Sequence, residues 1–135
     1  MKTIEISYTP SDAVDPDALQ HFFQDFEKRT NVTVRLDALD TKDARDTLNR
    51  FAVEHKGADV SQIGSTWLCG LVDMNMLRPF SSREIHDLGG KESFLPVAWE
   101  NALLPDKFEQ YAIPWLVDVR VVCYRRDLFE KAGRE

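Results

Sequence analysis

The chain has 135 residues, of which 43% are hydrophobic and 30% charged, a composition typical of one folded domain and not of a disordered segment. Its 17 Lys and Arg against 23 Asp and Glu give a net charge of -6. This balance argues against a nucleic-acid partner, because phosphate backbones select basic surfaces. No apolar run is long enough to span a membrane, and the N-terminus alternates as a strand does, so we expect no signal peptide in this chain.

The first half of the chain alternates predicted strands and helices. Residues 3–8, 32–36 and 58–64 read as strands. The connections between them are too long for hairpins, which favours parallel strands joined by right-handed crossovers. The predicted fold class is therefore α/β, with an open, mainly parallel sheet flanked by helices.

Three helices are predicted between and after these strands. The first runs from about 16 to 29, with Asp15 as its N-cap and a proline at its first position. The second runs from about 42 to 55 and ends at Gly57, and Ser65 or Thr66 caps the third. In sheets of this class, ligands bind beyond the carboxyl ends of the strands.

The second half of the chain has a less regular pattern. Ser81 and Glu84 fit a capping box that starts a short helix, and residues 94–104 suit another helical stretch. Residues 108–113 and 119–124 are predicted as strands. Asp127 is predicted to cap a final short helix.

The catalytic patterns that we considered do not occur. The sequence has no G-x-S-x-G, no Walker A and no G-x-G-x-x-G motif, and its three histidines lack metal-type spacing. We therefore predict no enzyme, no catalytic residue, no metal and no cofactor. Cys69 and Cys123 stand among apolar residues, which favours two buried free thiols, with a disulfide between them as the alternative.

A set of aromatic and fork-shaped polar side chains falls on predicted loops at the carboxyl ends of the strands. An indole offers a flat apolar face that suits a sugar ring, and Asp and Arg can bond pairs of hydroxyl groups. The alternative is that the tryptophans plug the edge of the core and that the Asp and Arg pair with each other. The set consists of Tyr8, Trp67, Trp115, Asp118 and Arg120.

Two long blocks carry a resemblance to a known family. The block from 57 to 80, G-A-D-V-S-Q-I-G-S-T-W-L-C-G-L-V-D-M-N-M-L-R-P-F, precedes the block from 111 to 133, Y-A-I-P-W-L-V-D-V-R-V-V-C-Y-R-R-D-L-F-E-K-A-G. Together they resemble the family 1 extracellular solute-binding proteins of ABC importers, which bind sugars. The resemblance covers residues 3–133. Cys123 departs from the pattern, since the family often has an aromatic or aliphatic residue there.

This resemblance implies one lobe of a type II periplasmic-binding-protein clamshell. Residues 1–118 correspond to the N-terminal lobe, and residues 119–135 to a crossing strand and the start of a helix that leads to a second lobe. The S-T-W loop, Ser65, Thr66 and Trp67, would form one wall of a sugar cleft with Tyr8, Trp115, Asp118 and Arg120.

The resemblance also implies partners and a location. These are a sugar or polyol ligand, an ABC permease, and a periplasmic or extracellular, lipid-anchored parent protein. Family members are about three times longer, so we expect the 135 residues alone to bind weakly and to self-associate. The alternative function is a free-standing flavodoxin-like interaction or regulatory domain without sugar binding, and an enzyme is the third reading.

Overall fold

A computed structural model describes residues 2–11, 14–119 and 121–134, and its sheet consists of three parallel strands in the order β2-β1-β3. The strands are β1 (Lys2–Tyr8), β2 (Val32–Ala38) and β3 (Val60–Ser61). Ile6 of the central strand lies opposite Leu36 on one side and Val60 on the other. The prediction of an α/β fold with parallel strands is confirmed.

Helices and two single 3-10 turns connect and follow the strands. None of the described helices is long and apolar enough to cross a membrane. The 3-10 turns are Ser65–Trp67 and Lys91–Ser93. The helices are α1 (Pro16–Thr30), α2 (Ala44–Glu54), α3 (Leu68–Asp73), α4 (Ser82–Asp87), α5 (Pro96–Asn101) and α6 (Arg126–Lys131).

The ends of α1 follow from local chemistry. The Asp15 carboxylate accepts a hydrogen bond from the Asp17 amide at 3.0 Å, as the predicted N-cap should. Asn31 adopts a left-handed conformation with φ 56° and donates its N–H to the Glu27 carbonyl, which ends the helix. The predicted start and end of α1 are therefore confirmed to within one residue.

The end of α2 and the start of the next turn differ from the prediction. His55 takes the left-handed C-terminal position with φ 51°, and Gly57 lies beyond it with φ 125°. A Cβ at Gly57 would lie 2.9 Å from Cδ2 of Phe51, so the glycine is needed for close packing as well as for its backbone angle. No side chain caps the 65–67 turn or α3, so the predicted capping by Ser65 or Thr66 is wrong.

The core consists of two adjoining clusters around α3. The first joins the loop after β2 to α2 and α3, through buried residues Leu39, Ala44, Leu48 and Leu71. The second joins α3 to the segment after α5, through buried residues Leu68, Val72 and Leu104. Helix α3 therefore lies between the first part of the chain and the segment that precedes residue 111.

The final segment differs most from the prediction. Residues 108–113 contribute only an isolated antiparallel bridge between Phe80 and Gln110, and no strand is formed at 119 or 121–125. The reason is that a strand needs a hydrogen-bonding neighbour, and the described chain provides none for this run. Asp127 lies inside the first turn of α6 and pairs with Arg125 at 2.7 Å, so it is not the N-cap.

Both cysteines are exposed free thiols, so the prediction that they are buried is wrong. Cys69 lies on the outer side of α3 because its neighbours Leu68 and Leu71 take the core positions, and its Sγ is 3.7 Å from Asp73 Oδ2. Cys123 belongs to the unpaired run before α6.

Candidate functional site

The loops after all three strands meet at one edge of the sheet, which we call the carboxyl edge and define by residues 7–9, 39 and 62. The Leu39 N–H donates to the Tyr8 carbonyl at 2.8 Å, and the Gln62 N–H donates to the Ser7 carbonyl at 2.8 Å. The Gln62 side chain also accepts from the Thr9 N–H at 3.3 Å. These bonds fix the loop after β1 relative to the two neighbouring loops.

Tyr8 is the last residue of β1 and is partly buried. It lines a groove of about 370 Å³ between α1 and the sheet, together with residues that include Phe23, Glu27 and Leu36. Two of the lining residues are joined by a hydrogen bond, because the Glu27 carboxylate accepts the Val34 N–H at 2.6 Å. Tyr8 is therefore at the carboxyl edge, as predicted.

The 65–67 turn leaves the carboxyl edge three residues after Gln62. Ser65 and Thr66 are exposed, which leaves their hydroxyl groups accessible. Trp67 is partly buried and packs against the first core cluster. A Cβ at Gly64 would lie 3.3 Å from Cε2 of this indole, so the glycine allows the ring to lie close to the backbone. Trp67 thus packs at the edge of the core with part of its ring exposed.

Trp115 and Asp118 lie on the segment that follows the second core cluster. Tyr111 and Ala112 pack against that cluster, and beyond them the chain becomes exposed. The Trp115 side chain is 56% exposed, and Asp118 is exposed. Among the described residues, no hydrogen bond or aromatic contact joins either side chain to Tyr8 or to the 65–67 turn. The predicted Arg120 lies outside the described residues.

The described chain therefore brings together part of the predicted set. Tyr8 and the 65–67 turn adjoin the carboxyl edge, whereas Trp115 and Asp118 occupy an exposed segment of their own. The residues near the carboxyl edge offer hydroxyl groups, and the exposed segment offers an indole and a carboxylate. Hydroxyl groups and a carboxylate can form hydrogen bonds with sugar hydroxyls, and an exposed indole can stack on C–H faces.

Gln110 is a residue that the sequence reasoning missed. It is 4% exposed, and its side-chain Nε2 donates to the carbonyls of Ala102 and Ala112. A glutamine between charged and aromatic residues gives no sequence signal of burial, since glutamine is mostly a surface residue.

Two carboxyl groups, each in the first turn of a helix, have lowered pKa values. In α4, hydrogen bonds from Arg78 and then Ser81 lower the pKa of Glu84 to about 2. In α6, the hydrogen bond from Arg125 lowers the pKa of Asp127. Across residues 2–11, 14–119 and 121–134, no cluster of three or more His, Cys, Asp or Glu side chains is arranged to hold a metal ion.

The fold of this chain is similar to part of several solved solute-binding proteins. A solute-binding protein of an ABC transporter from Thermotoga lettingae, bound with alpha-D-tagatose, has a TM-score of 0.79 and 21% identity over 99% of this chain. The sugar-binding protein MalE from Xanthomonas citri has a TM-score of 0.76 and 24% identity over 98% of this chain. A third, from Agrobacterium vitis with bound D-mannitol, has a TM-score of 0.65 and 20% identity over the whole chain.

These similarities concern part of each protein. The chain covers 34%, 33% and 32% of the three solved chains, respectively, which agrees with one lobe of a periplasmic-binding-protein fold. At identities under 25% they support the fold alone. No curated protein sequence matches the chain.

The family comparison covers most of the sequence. The family described as bacterial extracellular solute-binding protein matches residues 11–134, which includes both blocks of the sequence resemblance. The members of this family are binding proteins. The family therefore supports the prediction of a binding protein and not of an enzyme. The chain belongs to the bacterial extracellular solute-binding protein family.

Proposed function

We propose that the protein binds a sugar or polyol as the solute-binding component of an ABC importer. The family match over residues 11–134 is the observation that carries this proposal. The bound tagatose and mannitol of two structural relatives support a neutral polyhydroxy ligand. The exposed indole and hydroxyl groups of this chain suit such a ligand, because it offers apolar C–H faces and many hydrogen-bonding groups.

The proposed site is one wall of a cleft. Tyr8, Ser65 and Thr66 contribute hydroxyl groups near the carboxyl edge, and Trp67 contributes the rim of its half-buried ring. Trp115 stacks on the ligand. Asp118 accepts hydrogen bonds from ligand hydroxyls, and Arg120 donates to ligand oxygens.

The proposed mechanism is closure of two lobes around the ligand. Residues 1–118 form the first lobe, and residues 119–135 lead toward the second. Closure removes the ligand from water and strengthens the hydrogen bonds of Asp118 and Arg120. The 135 residues supply one wall only, so they bind the ligand weakly by themselves.

The proposed partners follow from this role. The closed receptor delivers its ligand to an ABC permease at the membrane, and it acts in the periplasm or at the cell exterior, held there by a lipid anchor. The family is extracellular, which supports the location.

We also propose that the 135 residues associate with a second copy. Five apolar side chains of the final run are between 52% and 95% exposed: Val117, Val119, Val121, Val122 and Tyr124. The described residues of this run, 117–119 and 121–124, form no backbone hydrogen bond with the rest of the described chain, and a segment of this kind can pair with its own copy in antiparallel fashion.

The triple variant Trp115→Ala, Asp118→Ala, Arg120→Ala tests the proposed site. In the gene product at its natural length, we expect it to weaken sugar binding by at least roughly a hundredfold, because it removes a stacking face and charge-assisted hydrogen bonds. Isothermal titration with D-mannitol, D-tagatose and a panel of neutral sugars measures the loss.

A matched control is the pair Phe108→Ala, Asp106→Ala. It removes an exposed aromatic ring and an exposed carboxylate from the loop just before the site, and it should leave affinity unchanged. Unchanged sugar affinity of the triple variant would favour the flavodoxin-like alternative, which the family match does not favour.

A further inference from the structure

Gln110 joins three separate parts of the chain at the point where the exposed binding segment begins. Its backbone carbonyl accepts the Phe80 N–H at 2.6 Å, which forms the isolated bridge to the loop before α4. Its side-chain Nε2 donates to Ala102, the residue that ends α5, at 3.2 Å. The same nitrogen donates to the Ala112 carbonyl, two residues ahead in the chain.

Some residues before Gln110 and the two directly after it are buried in the core or packed against it, whereas the described chain from Trp115 onward is exposed. Ala102 is 8% exposed and Leu104 is 9% exposed, and Tyr111 and Ala112 pack against the second core cluster. Trp115 lies only three residues beyond Ala112 and has no such packing. The hydrogen bond from Gln110 to the Ala112 carbonyl therefore sets the direction in which residues 113–118 leave the core.

The chemistry of the junction requires an amide nitrogen. Both groups that face Nε2 are carbonyl oxygens, which can only accept hydrogen bonds. The other amide atom, Oε1, is buried without a hydrogen-bond partner among the described residues. A flip of the amide would place oxygen against two oxygens, and a carboxylate of the same shape would do the same with a full charge.

We infer that Gln110 is a positioning residue for ligand binding: by holding the Ala102 and Ala112 carbonyls together, it aims the segment that carries Trp115 and Asp118. This inference rests on the proposed function for its effect on affinity. Gln110 itself is 4% exposed, so it acts through the segment that follows it.

The test uses Gln110→Glu, which keeps the side-chain shape, and Gln110→Met, which removes both donors without adding charge. Amide exchange at Phe80, whose N–H donates to the Gln110 carbonyl, should become about tenfold faster in both variants. In a Trp67→Phe, Trp99→Phe background, fluorescence anisotropy should show faster rotation of Trp115. Leu48→Ala, a core change in α2 remote from this junction in sequence, serves as the control that is destabilised without either local effect.

Affinity for D-mannitol and D-tagatose, measured in the gene product at its natural length, separates positioning from general destabilisation. We expect a loss of about tenfold in Gln110→Met, which shrinks to within about twofold when Trp115→Ala is already present, because coupled residues are not additive. An equal loss in both backgrounds, or the same loss in Leu48→Ala, would overturn the positioning role.

The two proposals fail in different ways. If the parent protein binds no sugar or polyol of the panel, the proposed function is refuted, and the role of Gln110 is then decided by Trp115 rotation. Unchanged rotation of Trp115 in Gln110→Met, with Phe80 exchange raised, would refute the inference whatever the ligand.

Discussion

Trp67 and Trp115 have different environments although the same sequence argument predicts both as ligand contacts. Trp67 packs against the first core cluster and closely approaches Gly64, whereas Trp115 is 56% exposed. A tryptophan is both a large apolar group and a stacking surface, so the residue type alone cannot distinguish the two roles. We therefore expect Trp67 to act mainly in stability and Trp115 mainly in binding.

Alanine substitutions of the two tryptophans should separate these roles. Trp67→Ala leaves a cavity at the edge of the core and should lower the free energy of unfolding by about 2–3 kcal/mol, less than a fully buried tryptophan would cost. Trp115→Ala should change it by less than about 0.5 kcal/mol, because the side chain is mostly in solvent. Urea unfolding of the 135-residue chain measures both. Similar losses in the two variants would show that Trp115 is also structural.

At the scale of single elements, the sequence predicted the ends of α1 and the start of α4 well, whereas the caps predicted at Ser65 or Thr66 and at Asp127 are wrong. Asp15 caps α1, and Ser81 and Glu84 form the expected capping box, because these interactions span only two or three residues. The run 119–124 is predicted as a strand, but no strand is formed at 119 or 121–125. Its alternating pattern is local, but a strand also needs a hydrogen-bonding partner elsewhere.

The capping box of α4 makes a pH-dependent contribution to stability. Glu84 accepts hydrogen bonds from Arg78 at 2.7 Å and from the Ser81 N–H at 2.8 Å, and its pKa falls from 4.5 to about 2. The folded protein stabilises the charged form of Glu84 relative to the unfolded chain. The resulting gain in folding stability is therefore complete above about pH 4.5 and is lost as pH falls toward 2.

The variant Glu84→Gln should remove this dependence. The difference in thermal midpoint between the wild type and Glu84→Gln should be small, present at pH 6 and absent near pH 2, and it should shrink in high salt because the pair is exposed. Asp87→Asn, another exposed acid of the same helix, is the control and should show little change. A difference that persists unchanged to pH 2 would contradict the assignment.

At the scale of the whole molecule, the order of elements and the two sequence blocks predicted the fold and the family. The arrangement of the site was predicted only in part. Hydrogen bonds join Ser7 and Thr9, which flank Tyr8, to Gln62, three residues before the 65–67 turn, and they follow from the parallel order of β1 and β3. The segment that carries Trp115 follows Tyr111 and Ala112, which pack against the second core cluster, and this packing cannot be read from the spacing of residues.

The exposed apolar run predicts self-association of the 135 residues. Light scattering should give a mass that rises with protein concentration, because pairing of two runs buries apolar surface and satisfies backbone groups. Val119→Lys with Val122→Lys should lower the mass toward that of a monomer. Val53→Lys, at an exposed valine of α2, should not. A compact monomer at high concentration would contradict this prediction.

The central claim is that the protein is a sugar or polyol receptor of which these residues form one wall. Calorimetric titration of the gene product at its natural length and of the 135 residues, against the same panel of neutral sugars and polyols, tests it most directly. We predict binding at about micromolar Kd or tighter for at least one ligand by the natural protein, and at best millimolar binding by the 135 residues, since half a site buries one face of the ligand. No binding by the natural protein, or micromolar binding by the monomeric 135 residues, would contradict the claim.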